Sequence, residues 1–352
     1  MKGDESTSHS FTSQSNTPPH LSRLKPKMPP LDPKREPLNP DRRLILTPSM
    51  IPNSSNFDAK DSRYFKKFTN LPSPEEVRKQ AKAQQLAGTS VDKRRTLYEG
   101  DIQRRAPVTV FQELSLLVKW GGEMTISEGQ CLYGIGLLLK DHVPVPELYG
   151  WRQDGGETFL YMEYLDAQTL EQAWDSLGSD DRVSISGELR IICANLRHLE
   201  QDPEDPFIGS IARSYVCDRA YREDGWLEAG PFNTVQKFHD WFTWLPRKPM
   251  PDPFIVPIER ERYDLPDDTA IVFTHGDLHR SNILVTRSEP YRVVAIVDWE
   301  QSGWMPAYWE ARKAQWSVGT DDPWSTTYLP MIMCPFTSTW LPWTWFSGSM
   351  VP

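Results

Sequence analysis

Two short polar segments in the last third of the chain combine residue types that can hold a metal ion and accept a proton. Asp277 is followed five residues later by Asn282, and Asp298 directly follows the apolar run 293–297. Mg²⁺ prefers carboxylate, amide and phosphate oxygens as ligands. Transfer of a phosphoryl group needs such a metal site and a carboxylate near the attacking hydroxyl. The pattern predicts phosphoryl transfer, with Asp277 beside the hydroxyl and with Asn282 and Asp298 at the metal ion.

The same segment allows a different metal chemistry. His275, Asp277 and His279 alternate along the chain, and strand-like spacing would place all three side chains on one face. Such a set would suit a transition-metal hydrolase. That alternative leaves Asn282 and Asp298 without a role, so phosphoryl transfer is the better interpretation.

The first half of the chain carries the signals of a small, β-rich lobe. Ser73 and Glu76 form a capping box with Pro74 at the first helical position, and this helix is expected to end near Leu86, before Gly88. Later patterns predict two strands of a hairpin, a helix, a strand and a second capped helix at residues 107–111, 114–120, 126–140, 158–164 and 169–177.

The second half is mostly helical, with three short strands around the polar segments. Helical periodicity covers residues 179–200, and Asn233 or Thr234 caps a further helix that runs to about Trp244. The predicted buried strands are residues 270–273, 283–285 and 293–297, and the last two form a hairpin that returns Asp298 to the first polar segment. A β-rich part followed by a larger helical part predicts an α+β, bilobal fold with the layout of a kinase.

Both polar segments carry sequence motifs of a known superfamily. His-Gly-Asp-Leu-His-x-x-Asn at 275–282 and Ile-Val-Asp-Trp-Glu at 296–300 together resemble the aminoglycoside phosphotransferase/choline kinase superfamily of the protein-kinase-like fold, more narrowly its fungal members. Other similar stretches are Val-Lys-Trp-Gly at 118–121, Val-Pro-Val-Pro at 143–146, Met-Glu-Tyr-Leu at 162–165, Gly-Pro-Phe at 230–232 and residues 304–310. The resemblance covers roughly residues 105–316.

The resemblance implies a role for each matching position. Lys119 would contact the α- and β-phosphates of ATP, held by an ion pair to Glu128. Asp277 would be the catalytic base, His275 would brace its loop, and Asn282 and Asp298 would hold Mg²⁺. The hinge that would meet the adenine ring consists of Glu163, Tyr164 and Leu165.

The role of Glu300 stays open between a third metal-site carboxylate and a residue behind the metal ligands. Trp299, Trp304 and Trp309 are interpreted as core residues rather than as platforms for a substrate.

Charge and composition exclude several other classes of protein. Residues 1–70 carry a net charge of +5 and the remaining residues −14, and an acidic body of this kind disfavours a nucleic-acid partner. There is no apolar run long enough for a transmembrane segment and no secretory signal. The four cysteines are widely separated, which indicates free thiols and a cytoplasmic location. The sequence carries no signal for an oligomeric state.

Composition also suggests the domain boundaries. We expect a disordered arm at 1–70, because ten of the 31 prolines and no tryptophan lie there. A helix and connector at 71–104, a small lobe with hinge at 105–165 and a large lobe at 166–325 follow. The Trp- and Pro-rich tail at 326–352 cannot form a long helix. It packs on the large lobe, binds a partner or a membrane surface, or reflects a missed splice site.

The predicted function is ATP-dependent transfer of a phosphoryl group to a hydroxyl of a small molecule. The alternative is a kinase-like protein that binds nucleotide or a partner without useful catalysis, which the poor phosphate loop and the unusual tail favour. Gly100 is the only glycine near that loop, and Arg104 and Arg105 are interpreted as surface residues rather than as phosphate contacts. A protein kinase is disfavoured by the missing Gly-rich loop and the absence of Asp-Phe-Gly and Ala-Pro-Glu motifs. Asp321 and Asp322 would suit a cationic amino-alcohol or amino-sugar as acceptor.

Overall fold

The computed structural model describes residues 36–89, 106–218, 229–253, 255, 257–319 and 321–350. Its strands, in chain order, are β1 (Leu44–Ile45), β2 (Phe57–Asp58), β3 (Val108–Phe111), β4 (Leu116–Gly121), β5 (Leu148–Asp154), β6 (Glu157–Glu163), β7 (Gln168–Thr169), β8 (Leu199–Glu200), β9 (Ile271–Thr274), β10 (Ile283–Val285), β11 (Val293–Ile296) and β12 (Gly303–Pro306). Its α-helices are α1 (Pro74–Leu86), α2 (Ser127–Leu138), α3 (Leu170–Ala173), α4 (Ser179–Leu196), α5 (Val235–Trp244), α6 (Trp309–Trp316), α7 (Leu329–Ile332) and α8 (Trp340–Gly348).

The small lobe is an antiparallel sheet with the strand order β2-β5-β6-β4-β3. The predicted hairpin is confirmed as β3 and β4, in which Val108 pairs with Lys119. Strand β4 also pairs with β6, so the strand that carries Lys119 has a neighbour on both sides and is held rigidly. Strand β5 was not predicted, because Gly150 and the polar residues that follow it interrupt the apolar alternation on which a strand prediction depends.

Helix α1 confirms the predicted capping box. Ser73 N–H donates to Glu76 Oε2 at 2.7 Å, and Glu76 N–H donates to Ser73 Oγ at 3.2 Å. The helix packs on the outer strand of the sheet, where Gln84 Nε2 donates to the carbonyl of Val110 at 2.6 Å. This contact covers the edge strand β3 and uses one of its free backbone acceptors.

Helix α2 packs against the opposite face of the sheet and approaches it closely. Gly129 permits the approach, since a Cβ atom there would lie 2.8 Å from the Trp151 ring and 2.9 Å from Leu160. The predicted helix at 126–140 is thereby confirmed with slightly shorter bounds, and its first turn places Glu128 beneath the sheet.

The large lobe is built from helices α3 to α8, two small antiparallel sheets and strand β8, which pairs with β1. One sheet has the order β11-β10-β7 and the other pairs β12 with β9, both antiparallel. The three predicted strands are confirmed as β9, β10 and β11, and Thr234 rather than Asn233 caps α5, with its side chain accepting from Lys237 N–H. The α+β, bilobal prediction is confirmed.

The prediction of a disordered arm at 1–70 is wrong for residues 36–70. Strand β1 pairs in parallel with β8 of the large lobe, and β2 pairs with β5 of the small lobe, so this segment links the two lobes. Leu38, Leu46, Ile51 and Tyr64 are buried. Average composition concealed this, because the few large apolar residues here are spaced to fill gaps between elements formed elsewhere in the chain. Residues 1–35 lie outside the described residues.

The tail after residue 325 packs on the large lobe. A π-helix at Trp324–Tyr328 leads directly into α7, and a short turn precedes α8. Trp343 is fully buried and its ring meets Trp309 and Trp316 edge-on, at 5.8 and 6.1 Å. As predicted from its prolines, the tail forms short helices only. Among the described residues, no helix is long and apolar enough to cross a membrane.

Candidate active site

The loop between β9 and β10 carries the first polar segment and is held from below by a carboxylate. Glu310, in the first turn of α6, accepts hydrogen bonds from the backbone N–H groups of His275, at 2.6 Å, and Gly276, at 3.2 Å. Gly276 has a φ of +77°, and a Cβ atom there would lie 2.5 Å from the carbonyl oxygen of Gln301. Only glycine fits this position without displacing the backbone.

His275 connects the two polar segments. Its Nε2 lies 3.0 Å from the carbonyl oxygen of Val297, and its Nδ1 accepts from the backbone N–H of Asp277 at 3.1 Å. The first contact requires a proton on Nε2 and the second requires a lone pair on Nδ1, so both ring nitrogens are used. The ring is 2% exposed and lies edge-on to Trp299. This geometry suits a brace for the loop, not a group that touches a substrate.

Asp277 and Asn282 lie side by side. The Nδ2 group of Asn282 donates to the backbone carbonyl of Asp277 at 2.8 Å and to its Oδ2 at 3.0 Å. These bonds orient the Asp277 carboxylate and turn the amide oxygen of Asn282 away from it. The amide oxygen is the atom that a hard cation would use.

Asp298 returns to the same place through the hairpin of β10 and β11. The backbone N–H of Val297 donates to the carbonyl of Asn282 at 2.9 Å, which joins the two segments directly. Asp298 itself has left-handed backbone angles, φ 67° and ψ 58°. Such a conformation costs free energy for a residue other than glycine and is common at functional sites.

Lys119 reaches across from the small lobe and meets three carboxylates. Its Nζ lies 2.8 Å from Glu128, 2.5 Å from Asp298 and 3.0 Å from Glu300. The ion pair of Lys119 with Glu128 that the resemblance implied is present. One oxygen of each carboxylate, three atoms in all, lie within 4.8 Å of one another. Sequence reasoning left Glu300 undecided, and the structure places it in this cluster.

Burial and the neighbouring charges shift the pKa values of Glu128 and Lys119 in this cluster. Burial raises the pKa of Glu128 to about 7, which Lys119 opposes and the carboxylates of Asp298 and Glu300 reinforce. The carboxylates raise the pKa of Lys119 well above its ordinary value, against the effect of burial. Lys119 therefore keeps its charge, and the site has an excess of negative charge for a further cation to balance.

A cavity of about 370 Å³ lies between the lobes and ends at this cluster. Its walls near the hinge are apolar and include Val108, Leu117, Met162 and Leu284. Its inner end is polar and is lined by Lys119, Glu128, Asn282, Asp298 and Glu300. The predicted hinge residues Glu163, Tyr164 and Leu165 line the same cavity. The backbone N–H of Tyr164 donates to the carbonyl of Ser115, and that of Glu163 donates to the carbonyl of Glu147. Neither N–H group is therefore available to a ligand in the cavity.

The alternative metal site is not supported by the geometry. His275 spends both ring nitrogens on backbone groups, and His279 Nδ1 lies 2.8 Å from Ser281 Oγ. In the described part of the chain, one group of His, Cys, Asp and Glu side chains is arranged to hold a metal ion, and it consists of Glu128, Asp298 and Glu300.

Several further sequence predictions can be placed. Trp299, Trp304 and Trp309 are at most 1% exposed and belong to the core, as interpreted. Asp322 forms an ion pair with Arg280 at 3.0 Å and accepts a hydrogen bond from the backbone N–H of Trp324 at 2.7 Å, so its charge is partly used. The four cysteines all lie in the described ranges, and none of them forms a disulfide bond there. The expected phosphate loop at 99–105, with Arg104 and Arg105, lies outside the described residues.

Sequence reasoning did not identify the role of Glu310. Glu310 lies in residues 304–310, which resemble the superfamily, but nothing in the local sequence distinguishes it from an acidic residue at the start of any helix. Its 3% exposure and its bonds to two backbone N–H groups show that it supports the loop.

Comparison with known proteins gives a family and a set of structures. Residues 133–330, more than half of the chain, match the phosphotransferase enzyme family. No curated protein matches significantly. Similar solved structures include ADP-bound aminoglycoside phosphotransferase APH(2'')-Ib, with 13% identity and a TM-score of 0.45 over 69% of this chain and 78% of that one. The gentamicin complex of APH(2'')-IIa has 13% identity and a TM-score of 0.44 over 67% and 76%. A complex of a thermostable APH(4)-Ia mutant with ADP and hygromycin B has 12% identity and a TM-score of 0.38, over 56% of this chain and 63% of that one.

Proposed function

Because the chain belongs to the phosphotransferase enzyme family, we propose that it transfers the γ-phosphate of ATP, with Mg²⁺, to a hydroxyl of a small molecule. The observation that carries this proposal is the meeting of three segments at one end of the interlobe cavity. The Asp277 loop and the Asp298 hairpin are adjacent in sequence, whereas the Lys119 strand lies far earlier in the chain. They converge on a site that is apolar where a base would lie and charged where phosphates would lie.

The residues present suit a divalent cation. Asn282 directs its amide oxygen away from Asp277, and the three neighbouring carboxylates carry more negative charge than Lys119 balances. Mg²⁺ held by Asn282 and Asp298 would neutralise the charge of the phosphates. Glu300, beside Asp298 and Lys119, would orient both of these side chains.

Each remaining residue has a role that its contacts support. Asp277, oriented by Asn282, would accept the proton of the acceptor hydroxyl. Lys119, kept charged by its carboxylates, would bind phosphate oxygens. At the hinge, the N–H of Leu165 makes no backbone hydrogen bond among the described residues and would serve as the donor to an adenine ring.

The acceptor is expected to be a small molecule. The structures that share this architecture include complexes with gentamicin and hygromycin B, which are aminoglycosides. Amino-sugars and amino-alcohols are therefore the first acceptors to test.

The decisive experiment separates binding from transfer. Thermal denaturation with and without Mg-ATP measures nucleotide binding, and labelled ATP with a panel of amino-sugars and amino-alcohols measures transfer. Asp277→Asn should bind Mg-ATP like the wild type and lose about 10²- to 10⁴-fold in transfer rate. Asp298→Asn should lose the Mg²⁺-dependent thermal shift. The exposed Asp141→Asn is the matched control and should change neither.

Two results would refute the proposal. A well-folded protein that shows no Mg-ATP shift has no nucleotide site. A protein that binds Mg-ATP and transfers phosphate to none of the acceptors would instead support the alternative, a kinase-like binding protein.

A further inference from the structure

A second cavity lies in the C-terminal part of the large lobe. It has a volume of about 530 Å³, is open to solvent on one side and is bordered by α6, the π-helix, α7 and the start of α8. It shares no lining residue with the interlobe cavity. The phosphotransferase mechanism proposed above uses none of its residues.

Arg312 lines this cavity and lacks a counter-charge. The side chain is 1% exposed, and its Nη2 donates to the carbonyl of Pro335. Its Nε and Nη1 groups are buried and have no hydrogen-bond partner among the residues that the structure describes. Within the described ranges no carboxylate forms an ion pair with it, and burial lowers the pKa of Arg312 to about 10. Buried guanidinium groups are ordinarily paired, because desolvation of an unpaired charge costs several kcal/mol.

A second unsatisfied polar group lines the same cavity. Gln315 follows Arg312 by three residues on α6, so both side chains lie on one face of that helix. Its Oε1 atom is buried and has no donor. Rotation of the amide by 180° would place its NH₂ group there, where it could donate to an anion. Two neighbouring side chains thus each have a buried polar atom at this cavity that makes no hydrogen bond among the described residues.

The remaining walls indicate the kind of anion. Pro330, Pro335 and the Trp340 ring form apolar surface, and the guanidinium carbon of Arg312 lies 5.0 Å from the centre of that ring. Among the described residues that line the cavity, Arg312 is the single charged one. One positive charge balances a monoanion better than a phosphate dianion, and the volume leaves room for an apolar body.

We propose that this cavity binds an organic carboxylate. Its oxygens accept hydrogen bonds from Arg312, and its apolar part packs against Trp340 and the two prolines. The site is independent of the proposed phosphotransfer, so the failure of either leaves the other standing. Its ligand would join α6, which carries Glu310 and the support of the catalytic loop, to the C-terminal tail.

Benzoate is a suitable probe, with neutral benzamide as its isosteric control and inorganic phosphate as a second anion. Titration calorimetry and thermal denaturation of the full chain measure binding. We expect saturable binding of benzoate and none of benzamide. Arg312→Met, which removes the guanidinium group and keeps an unbranched apolar side chain, should weaken benzoate binding by at least about tenfold, since a charge-assisted hydrogen bond is lost. Arg287→Met is the matched control, because Arg287 forms an exposed pair with Asp166, and it should bind like the wild type.

Several outcomes would overturn the proposal. They are the absence of saturable benzoate binding to the folded wild type, equal binding of benzamide, and undiminished binding by Arg312→Met. Binding of phosphate but not of benzoate would also overturn the assignment to an organic carboxylate. If Arg312→Met does not fold, Arg312→Lys keeps the charge, and the comparison of benzoate with benzamide on the wild type needs no variant.

Discussion

Removal of Lys119 tests whether one cation holds the active-site carboxylates together. In Lys119→Met the carboxylates of Glu128, Asp298 and Glu300 would lose the ammonium group that lies within 3.0 Å of each. Two unit charges 4.8 Å apart repel by about 3 kcal/mol at an effective dielectric constant of 20. Proton uptake would relieve part of this repulsion. We therefore expect a loss of about 3–5 kcal/mol in the free energy of unfolding, the usual cost of breaking a buried ion pair.

Mg²⁺ should then replace the missing charge. The three carboxylates form a ready set of hard ligands, and Mg²⁺ at 100 times its dissociation constant would restore about 2.7 kcal/mol. Urea denaturation followed by tryptophan fluorescence, in EDTA and in excess Mg²⁺, measures both effects. Lys237→Met on the exposed face of α5 is the matched control and should behave like the wild type. If Lys119→Met is as stable as the wild type in EDTA, or if Mg²⁺ affects both proteins equally, the carboxylate cluster does not have the charge balance described here.

Three further predictions concern stability. His239 is fully buried, and burial lowers its pKa from 6.5 to about 4. Its contribution to stability is therefore complete above pH 6.5, and up to about 3 kcal/mol of the free energy of unfolding is lost as the pH falls to 4. In urea denaturation His239→Gln should flatten this pH profile, and an unchanged slope would contradict the prediction. Gly276→Ala should cost about 1–3 kcal/mol, because its φ is +77° and the new Cβ meets a backbone carbonyl, whereas Gly136→Ala in α2 meets nothing and should be neutral or stabilising. Trp343→Ala should lower the free energy of unfolding by about 3–5 kcal/mol, because Trp343 is fully buried. Trp345 is half-exposed, and Trp345→Ala should lower it by less than about 0.5 kcal/mol. Thermal unfolding measures both, and equal losses would show that the tail does not belong to the core.

The elements that depend on neighbouring residues were predictable. Ser73 and Thr169 each begin a capping box, and both boxes form, because the bonds join groups only three residues apart. The hairpin that returns Asp298 to Asn282 was predictable for the same reason, since two short apolar runs with a turn between them have one simple way to pair. The site residues came from the spacing of two motifs on these elements. Their catalytic roles remain predictions.

The sequence predictions that were wrong or left open concern contacts between residues far apart in the chain. Residues 36–70 pack because β8 and β5, more than 90 residues away, provide edges for β1 and β2. Glu300 and Lys119 are 181 residues apart in sequence, and they form an ion pair only because the two lobes pack against each other.

The sequence by itself determined the local elements, the two motifs and hence the family and the kind of chemistry. The tertiary structure alone decided which charges are shared and which are left without a partner. Lys119 faces three carboxylates and Arg312 faces none in the described residues, although both are ordinary basic residues in the sequence. The reason is physical: burial and electrostatic pairing depend on distances in the folded chain, and an isolated segment contains neither.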